Sequence, residues 1–506
     1  MMALLETTDG VPLAMLLEGL ADCSAYGQVR VGGISIDSRK TRHGDLFLAC
    51  HGTNTSGVHY IRKAIDAGAA AVAAESDAGT AVFTDEVPVI PVDGLRNKAG
   101  VIAARFYGHP SAGMNVIGIT GTNGKTSVSC FIAQALAGYS GRNVGLIGTL
   151  GYGPYSKLVS GLNTTPDPVV LQQTLADLLH EGTDTVIMEV TSIGLDQGRV
   201  AGVDFNMGVL TNLTVDHLDY HGDMHTYAGA KKQLFTSHGI RHAIINTDDE
   251  YGARLCSELG GEVPIISYGL VDELPATQAG PAPSAVLAVV DETQAGLSLD
   301  ITSPWGRGKL TAGISGRYNA YNLLASLAVL CLLEIPFEQA LKQLSMLTPV
   351  PGRLEKFGGN GRPEVFVDYA HTPDALDHVL QFLKEDCSGK LICVFGCGGN
   401  RDRSKRAPMG TIAETYADRV IVTSDNPRFE APALIIEDIL AGISNKEDVQ
   451  VVEDRTQAIT TAMNSAAAGD IVLIAGKGHE TYQEIAGQRI PFSDRQLVRS
   501  LLEAMS

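Results

Sequence analysis

The chain has 506 residues, a formal net charge of −19 and 44% hydrophobic residues. That length exceeds what one hydrophobic core supports, so several domains are expected. The acidic balance argues against a nucleic-acid partner, and no apolar run approaches the roughly 18 residues of a membrane span. The N-terminus, Met-Met-Ala-Leu-Leu-Glu-Thr-Thr-Asp, lacks a basic start and carries acids early, unlike a signal peptide. Eight cysteines are scattered without a Cys-x-x-Cys pair, the pattern of reduced core thiols in a cytoplasmic protein.

Residues 1–112 read as a small α/β domain. Apolar positions alternate over 30–39, a strand is expected at 45–50, a helix at 60–68 ending on Gly68, a strand at 69–74 and an amphipathic helix at 95–106. Polar loops follow the strands, notably Asp37-Ser38-Arg39 and Thr53-Asn54-Thr55. Loops after strand ends are where α/β folds bind ligands.

Residues 113–349 open on an apolar strand pattern that runs into Gly118-Ile-Thr-Gly-Thr-Asn-Gly-Lys-Thr126 and then into a helical pattern from Ser127. Strand, glycine loop, Lys-Thr and helix form the layout of a phosphate-binding loop. Its backbone N–H groups and helix N-terminus favour an anion, with Lys125 for the outer phosphates and the Thr126 hydroxyl for magnesium. The commoner spacing has glycine where this chain has Ile119. Strands at 185–190, 207–211 and 242–246 alternate with helices and imply a mainly parallel sheet covered by helices. Residues 272–285 read as a loop, 286–312 as added β structure and 321–333 as a helix. In a parallel sheet the strand ends meet at one edge. Thr126, Glu189 and His217 would then surround magnesium beside the phosphates. On composition Lys231 and Lys232 read as surface lysines.

Thr348-Pro-Val-Pro-Gly-Arg353 reads as a linker into the last domain, residues 350–506. Strands are expected at 365–368, 391–395, 419–423 and 471–475. Each ends in a polar loop: Asp368-Tyr-Ala-His371, residues 396–403, Asp425-Asn-Pro-Arg428 and Gly476-Lys-Gly-His-Glu480. An Asp and an Arg on one stiffened turn suit the zwitterionic group of an amino acid, the Arg fork pairing with a carboxylate, although these four residues by themselves read first as an Asx-type turn with a solvated Arg. The expected fold is thus α/β in three domains. A central phosphate-loop parallel-sheet domain is flanked by a small N-terminal α/β domain and a C-terminal Rossmann-like α/β domain.

Several stretches in fixed order resemble the Mur ligase family: Gly121-Thr-Asn-Gly-Lys-Thr126, Asn163-Thr-Thr-Pro166, Glu189-Val-Thr-Ser192, Gln197-Gly-Arg199, residues 212–222, Asn319 with Asn322, Pro351-Gly-Arg353 and Asp368-Tyr-Ala-His371. The resemblance covers almost the whole chain. It implies ATP at Gly121, Thr122, Asn123, Gly124, Lys125, Thr126 and Ser127, with Asn319, Arg353, Asp368 and His371 near the nucleotide. Thr126, Glu189 and His217 would hold Mg2+, and Lys231 matches a lysine that the family carbamylates into a further metal-supporting carboxylate. Lys125, Glu189, His217 and Lys231 would form the catalytic set.

Ile36, Ser38, Thr53, Asn54 and Thr55 would contact UDP, and Asn163, Thr164, Thr165, Ser192, Gln197 and Arg199 the sugar and peptide of a muramoyl substrate. Arg401, Asp425, Asn426, Pro427, Arg428, Gly476 and Glu480 would hold the incoming amino acid. Asp425-Asn-Pro-Arg428 is similar to the motif of members that add meso-diaminopimelate to UDP-N-acetylmuramoyl-L-alanyl-D-glutamate, a cytoplasmic step of peptidoglycan precursor synthesis. Thr191 and Ile193 depart from the Ser and His common in relatives. Rival readings are a folate-polyglutamate ligase, a nucleotide-dependent switch and a UDP-sugar-binding protein.

Overall fold

The computed structural model describes residues 10–52, 55–76, 87–139, 142–161, 163–275, 284–293, 296–359 and 361–504. Three α/β bodies follow one another along the chain. The first is built on four parallel strands in sequential order, Gly33–Ser35, Asp45–Ala49, Ala71–Glu75 and Val89–Val92. The helix Leu95–Phe106 covers this sheet with Leu95, Ala99, Ile102 and Phe106 buried. The helix expected at 60–68 starts as a 3-10 turn, Gly57–Tyr60, and becomes α-helical only over Ile61–Asp66.

The central body is a ten-stranded sheet. The phosphate-loop strand Asn115–Thr120 lies between Thr185–Glu189 and Met207–Leu210, parallel to both. Val144–Gly148 continues the parallel sheet on one side, and His242–Asn246 then Ile265–Leu270 on the other. Burial on both faces explains why these strands are apolar in succession rather than alternately. Ala285–Thr293, Gly296–Ser303 and Gly306–Ala312 extend one edge, the last two antiparallel. This is the β structure expected at 286–312. Lys125–Gly138 and Tyr318–Leu332 cover one face; the second is buried at nearly every turn, as its all-round apolar sequence requires.

The last body has five parallel strands, in the order Glu364–Asp368, Ile471–Ala475, Leu391–Phe395, Arg419–Val422 and Val449–Val451. An antiparallel strand, Glu355–Gly358, edges it. The pattern reading missed this strand and Val449–Val451. Both are short edge strands, where partial exposure dilutes the apolar signal. It also missed the hairpin Tyr482–Ile485 with Gln488–Pro491.

Candidate active site

Register brings the functional loops together. Glu189 is aligned with Ile119 and Leu210 with Thr120, so the phosphate loop, Glu189 and Thr211 leave the sheet at one edge. Gly121 sits at φ +148, where a Cβ would lie 1.8 Å from Thr211 Oγ1. Gly124, at φ +85, would bring a Cβ within 2.6 Å of Asn322 Oδ1. Both positions require glycine for conformation and for space. Helix Lys125–Gly138 begins directly after them, so its first N–H groups face the loop.

Lys125 Nζ donates to the carbonyls of Gly121 and Thr122 at 2.8 and 2.9 Å. Burial pushes this amine below its ordinary pKa. Thr126 Oγ1 donates to Glu189 Oε2 at 2.9 Å and accepts from Arg353 Nη2 at 3.0 Å. Thr149, which the sequence reading did not select, donates to Glu189 from its N–H at 2.8 Å and its hydroxyl at 3.0 Å. His217 is held in a left-handed backbone conformation, φ +55, with its ring 3.4 Å from Asp216. Burial lowers it to about 4, and the surrounding Lys231, Lys125 and Lys405 charges add to this against the pull of Asp216.

Lys231 is not a surface lysine. It is 1% exposed, donates to the Gly121 carbonyl at 2.8 Å and lies 4.5 Å from the centre of the Tyr227 ring. Burial, reinforced by Lys125, pushes its pKa well below the ordinary value. Helical phase puts it on the inward face of Met224–Thr236, while its neighbour Lys232 pairs with Glu258. Composition could not separate the two.

Asn123, Gly124, Ser127, Asn319, Arg353 and Asp368 line one cavity of about 310 Å³. Asp368 is fixed by the N–H groups of Leu354 and Ala370, and burial raises its pKa. The Arg353 guanidinium stacks on Tyr369 at 4.5 Å and its buried Nε has no partner, leaving a cation edge in the cavity wall.

A second cavity, of about 580 Å³, is lined by both the phosphate loop and the last domain. Thr122, Asn123, Gly124, Lys125, Thr126, Glu189, His217 and His371 line it, with Asn163, Thr164, Thr165, Gln197 and Arg199. Arg401, Asp425, Asn426, Arg428, Gly476 and Glu480, from the last domain, line it too. Ser192 is buried and hydrogen-bonded to His221 at 3.0 Å. Thr191 caps its helix through the Gly194 N–H and bonds Thr165, so that departure leaves the loop braced. Pro427 seats its carbonyl against Gly399, where a Cβ would come within 2.0 Å.

A third cavity, of about 600 Å³, lies between the first two domains. It contains Ile36, Ser38 and Thr55, and shares Asn163, Gln197 and Arg199 with the cleft. Thr53 and Asn54 lie outside the described residues. Lys63 and Arg96 add positive charge that sequence reading missed, because each looks like an ordinary helix-surface cation. Among the described residues no three His, Cys, Asp or Glu side chains cluster as a metal site. Among the described residues, too, no helix is long and apolar enough to cross a membrane.

Comparison with known proteins agrees with this architecture. Residues 30–107 match the Mur ligase family, catalytic domain; 119–330 the Mur ligase middle domain; and 352–478 the Mur ligase, glutamate ligase domain. The UDP-N-acetylmuramoyl-L-alanyl-D-glutamate--2,6-diaminopimelate ligase of Coxiella burnetii is 47% identical over 98% of this chain and 100% of its own. The protein of that name from Pseudomonas aeruginosa is 46% identical over 93% of this chain and 95% of its own. A solved structure of a ligase with the same name superposes with TM-score 0.67 at 33% identity, over 98% of this chain and 99% of that one. Folylpolyglutamate synthase from Mycobacterium tuberculosis, at 20% identity and TM-score 0.61 over 75% of this chain and 92% of that one, shares the fold. Matched in all three domains and along nearly its whole length, the chain belongs to the Mur ligase family.

Proposed function

We propose that this chain is an ATP-dependent ligase that adds meso-diaminopimelate to the D-glutamate of UDP-N-acetylmuramoyl-L-alanyl-D-glutamate. The observation that carries the reading is the single cleft lined both by the phosphate loop and by the Asp425–Arg428 turn. It is supported by the name shared by near-full-length relatives. The folate reading finds no use for a basic cavity in the first domain or for Arg428. The UDP-sugar-binding reading leaves the phosphate loop idle. The switch reading predicts ADP formation without both acceptor substrates.

In this reading residues 1–112 bind the UDP end, through Ile36, Ser38, Thr53, Asn54 and Thr55. Residues 113–349 hold ATP and, through Asn163, Thr164, Thr165, Ser192, Gln197 and Arg199, the sugar and peptide. Residues 350–506 deliver the amino acid. Asn319, Arg353, Asp368 and His371 flank the nucleotide. The hard oxygen set of Thr126 and Glu189, 2.9 Å apart and next to a phosphate loop, fits magnesium; His217 and a carbamylated Lys231 complete the proposed set. Magnesium would supply charge neutralisation at the phosphates. Carbamylation needs an uncharged amine, and burial, which lowers the pKa of Lys231, favours that form.

Lys125 leaves the loop carbonyls to meet the γ-phosphate as it transfers to the D-glutamate side-chain carboxylate, giving ADP and an acyl phosphate. The free amine of diaminopimelate attacks the acyl carbon. The C–N bond forms, a proton leaves the nitrogen and inorganic phosphate departs with the C–O bond. Arg428 pairs with the remote carboxylate that distinguishes diaminopimelate from lysine; lysine offers the guanidinium fork no such partner. A UDP-linked substrate and ATP belong to the cytoplasmic stage of peptidoglycan precursor synthesis.

The test is phosphate release from ATP with the muramoyl dipeptide, comparing meso-diaminopimelate with L-lysine in the presence of magnesium and bicarbonate. Release with diaminopimelate alone is expected. Release with lysine alone would keep the ligase and overturn the role of Arg428. Release with neither would overturn the reading.

A further inference from the structure

Lys477 lies between Gly476 and Glu480 and is fully buried, with 0% exposure. Its Nζ donates to Glu480 Oε2 at 2.6 Å and to Asn426 Oδ1 at 3.0 Å. Asn426 Nδ2 in turn donates to the same Glu480 oxygen at 2.8 Å. One oxygen of Glu480 is thus engaged from behind by two donors. Both donors belong to the protein, so they fix the direction of the carboxylate without filling the cleft that Glu480 lines.

The hairpin Tyr482–Ile485 with Gln488–Pro491 braces the other end of the same turn. Gln483 Nε2 donates to the Asp425 carbonyl at 2.7 Å, and the Glu484 N–H to Asn426 Oδ1 at 2.9 Å. The Arg428 N–H donates to the Glu484 carbonyl at 2.9 Å, and the Ala486 N–H to the Arg428 carbonyl at 2.6 Å. The Glu484 carboxylate lies 3.4 Å from Arg428 Nε, and Arg428 Nη1 donates to the Gly399 carbonyl at 2.8 Å. Arg428 itself sits at φ +54, a backbone position that a non-glycine residue keeps only where its surroundings enforce it. The hairpin also lies past residue 478, where the match to the Mur ligase, glutamate ligase domain ends.

We propose that Lys477 and Glu484 are specificity-determining positioning residues: Lys477 sets the Glu480–Asn426 pair for an ammonium, and the hairpin, through Glu484, sets Arg428 for a carboxylate. The inference deepens the ligase reading and rests on it. Together the two groups match an amino-acid head that carries one charge of each sign at a fixed separation, the remote end of a diaminodicarboxylic acid. Neither residue is asked to touch the reacting atoms.

The test compares wild type, Lys477→Met and Glu484→Gln in phosphate release, with separate titrations of meso-diaminopimelate, ATP and the muramoyl dipeptide, and melting temperatures for each. Lys477→Met removes the buried partner of a charge pair whose carboxylate is partly exposed to the cleft, so the KM for diaminopimelate is expected to rise about tenfold or more. Glu484→Gln weakens a partly exposed pair, and a rise of about threefold to fivefold is expected. In both, the KM values for ATP and the dipeptide are expected to change by less than about twofold; the preference for diaminopimelate over lysine is expected to fall in Glu484→Gln, which acts on the carboxylate, and to hold in Lys477→Met, which acts on the ammonium that both amino acids carry. A diaminopimelate KM unchanged in both variants, with active wild type, would overturn the inference and leave the ligase reading intact. So would parallel rises in all three KM values with a lowered melting temperature. If Lys477→Met does not fold, Glu484→Gln decides. Wild type inactive with both amino acids would overturn the parent reading and this one with it.

Discussion

His479 shows how burial sets the charge state of a single residue. Its ring packs 5.2 Å from that of Tyr369, and its buried Nδ1 has no hydrogen-bond partner. Burial lowers it to about 3, helped by the cations of Arg353, Arg495 and Lys477. The unfolded chain protonates histidine near pH 6.5. Below that the unfolded state takes up a proton that the folded state refuses, so stability falls as pH falls towards about 3. His479→Gln cannot titrate. The gap in melting temperature between wild type and this variant is therefore expected to narrow from about pH 7 to about pH 4.5. A gap that stays constant or widens on acidification would count against a neutral buried His479. The carboxylate of Asp216, held down at about 2 by His217, His371 and Lys405 against its burial, loses its contribution only below this window.

At the scale of elements, the phosphate loop depends on its backbone more than on its side chains. Gly121 combines φ +148 with backbone and hydroxyl atoms of Thr211 and Asn212 on the side where a Cβ would go. Gly121→Ala must displace the loop or turn the Thr211 hydroxyl away from the Thr120 and Asn123 carbonyls it bonds, and the backbone of Asn212 stands close behind it. A shift of this kind is expected to lower kcat/KM for ATP about a hundredfold, measured by phosphate release at saturating amino acid and dipeptide. An unchanged value would show that the loop tolerates the shift. The glycines and the flanking apolar runs made this element legible in the sequence, because its rules are local. The hairpin Tyr482–Pro491 was not legible, since its strands are short, polar and largely exposed.

Across the whole molecule, the central and last domains meet through the phosphate loop itself. Asn123 Nδ2 donates to Asp374 at 2.8 Å, Arg353 to Thr126 at 3.0 Å, and Lys405 stands 4.0 Å from Asp216. These polar links span a cleft, as expected of a domain interface that opens and closes. Nucleotide and dipeptide would add bonds shared by both domains. X-ray scattering is expected to show a smaller radius of gyration with an ATP analogue and the muramoyl dipeptide bound than with neither. An unchanged radius would count against closure.

The sequence alone determined the phosphate loop, the alternation of strands and helices, and the turn that carries both Asp425 and Arg428. Each is written in neighbouring residues, whose backbone preferences and periodicity act over a few positions. The tertiary structure decided which polar residues face one another across long separations. Thr126 and Arg353 are 227 positions apart, and Thr149 and Glu189 are 40. It also decided that Lys231 and Lys477 are buried while Lys232 is not, since the charge of a lysine is the same in the sequence wherever the chain packs it. Burial and partners, not residue type, set the properties of these amines, and only the packed domains supply them.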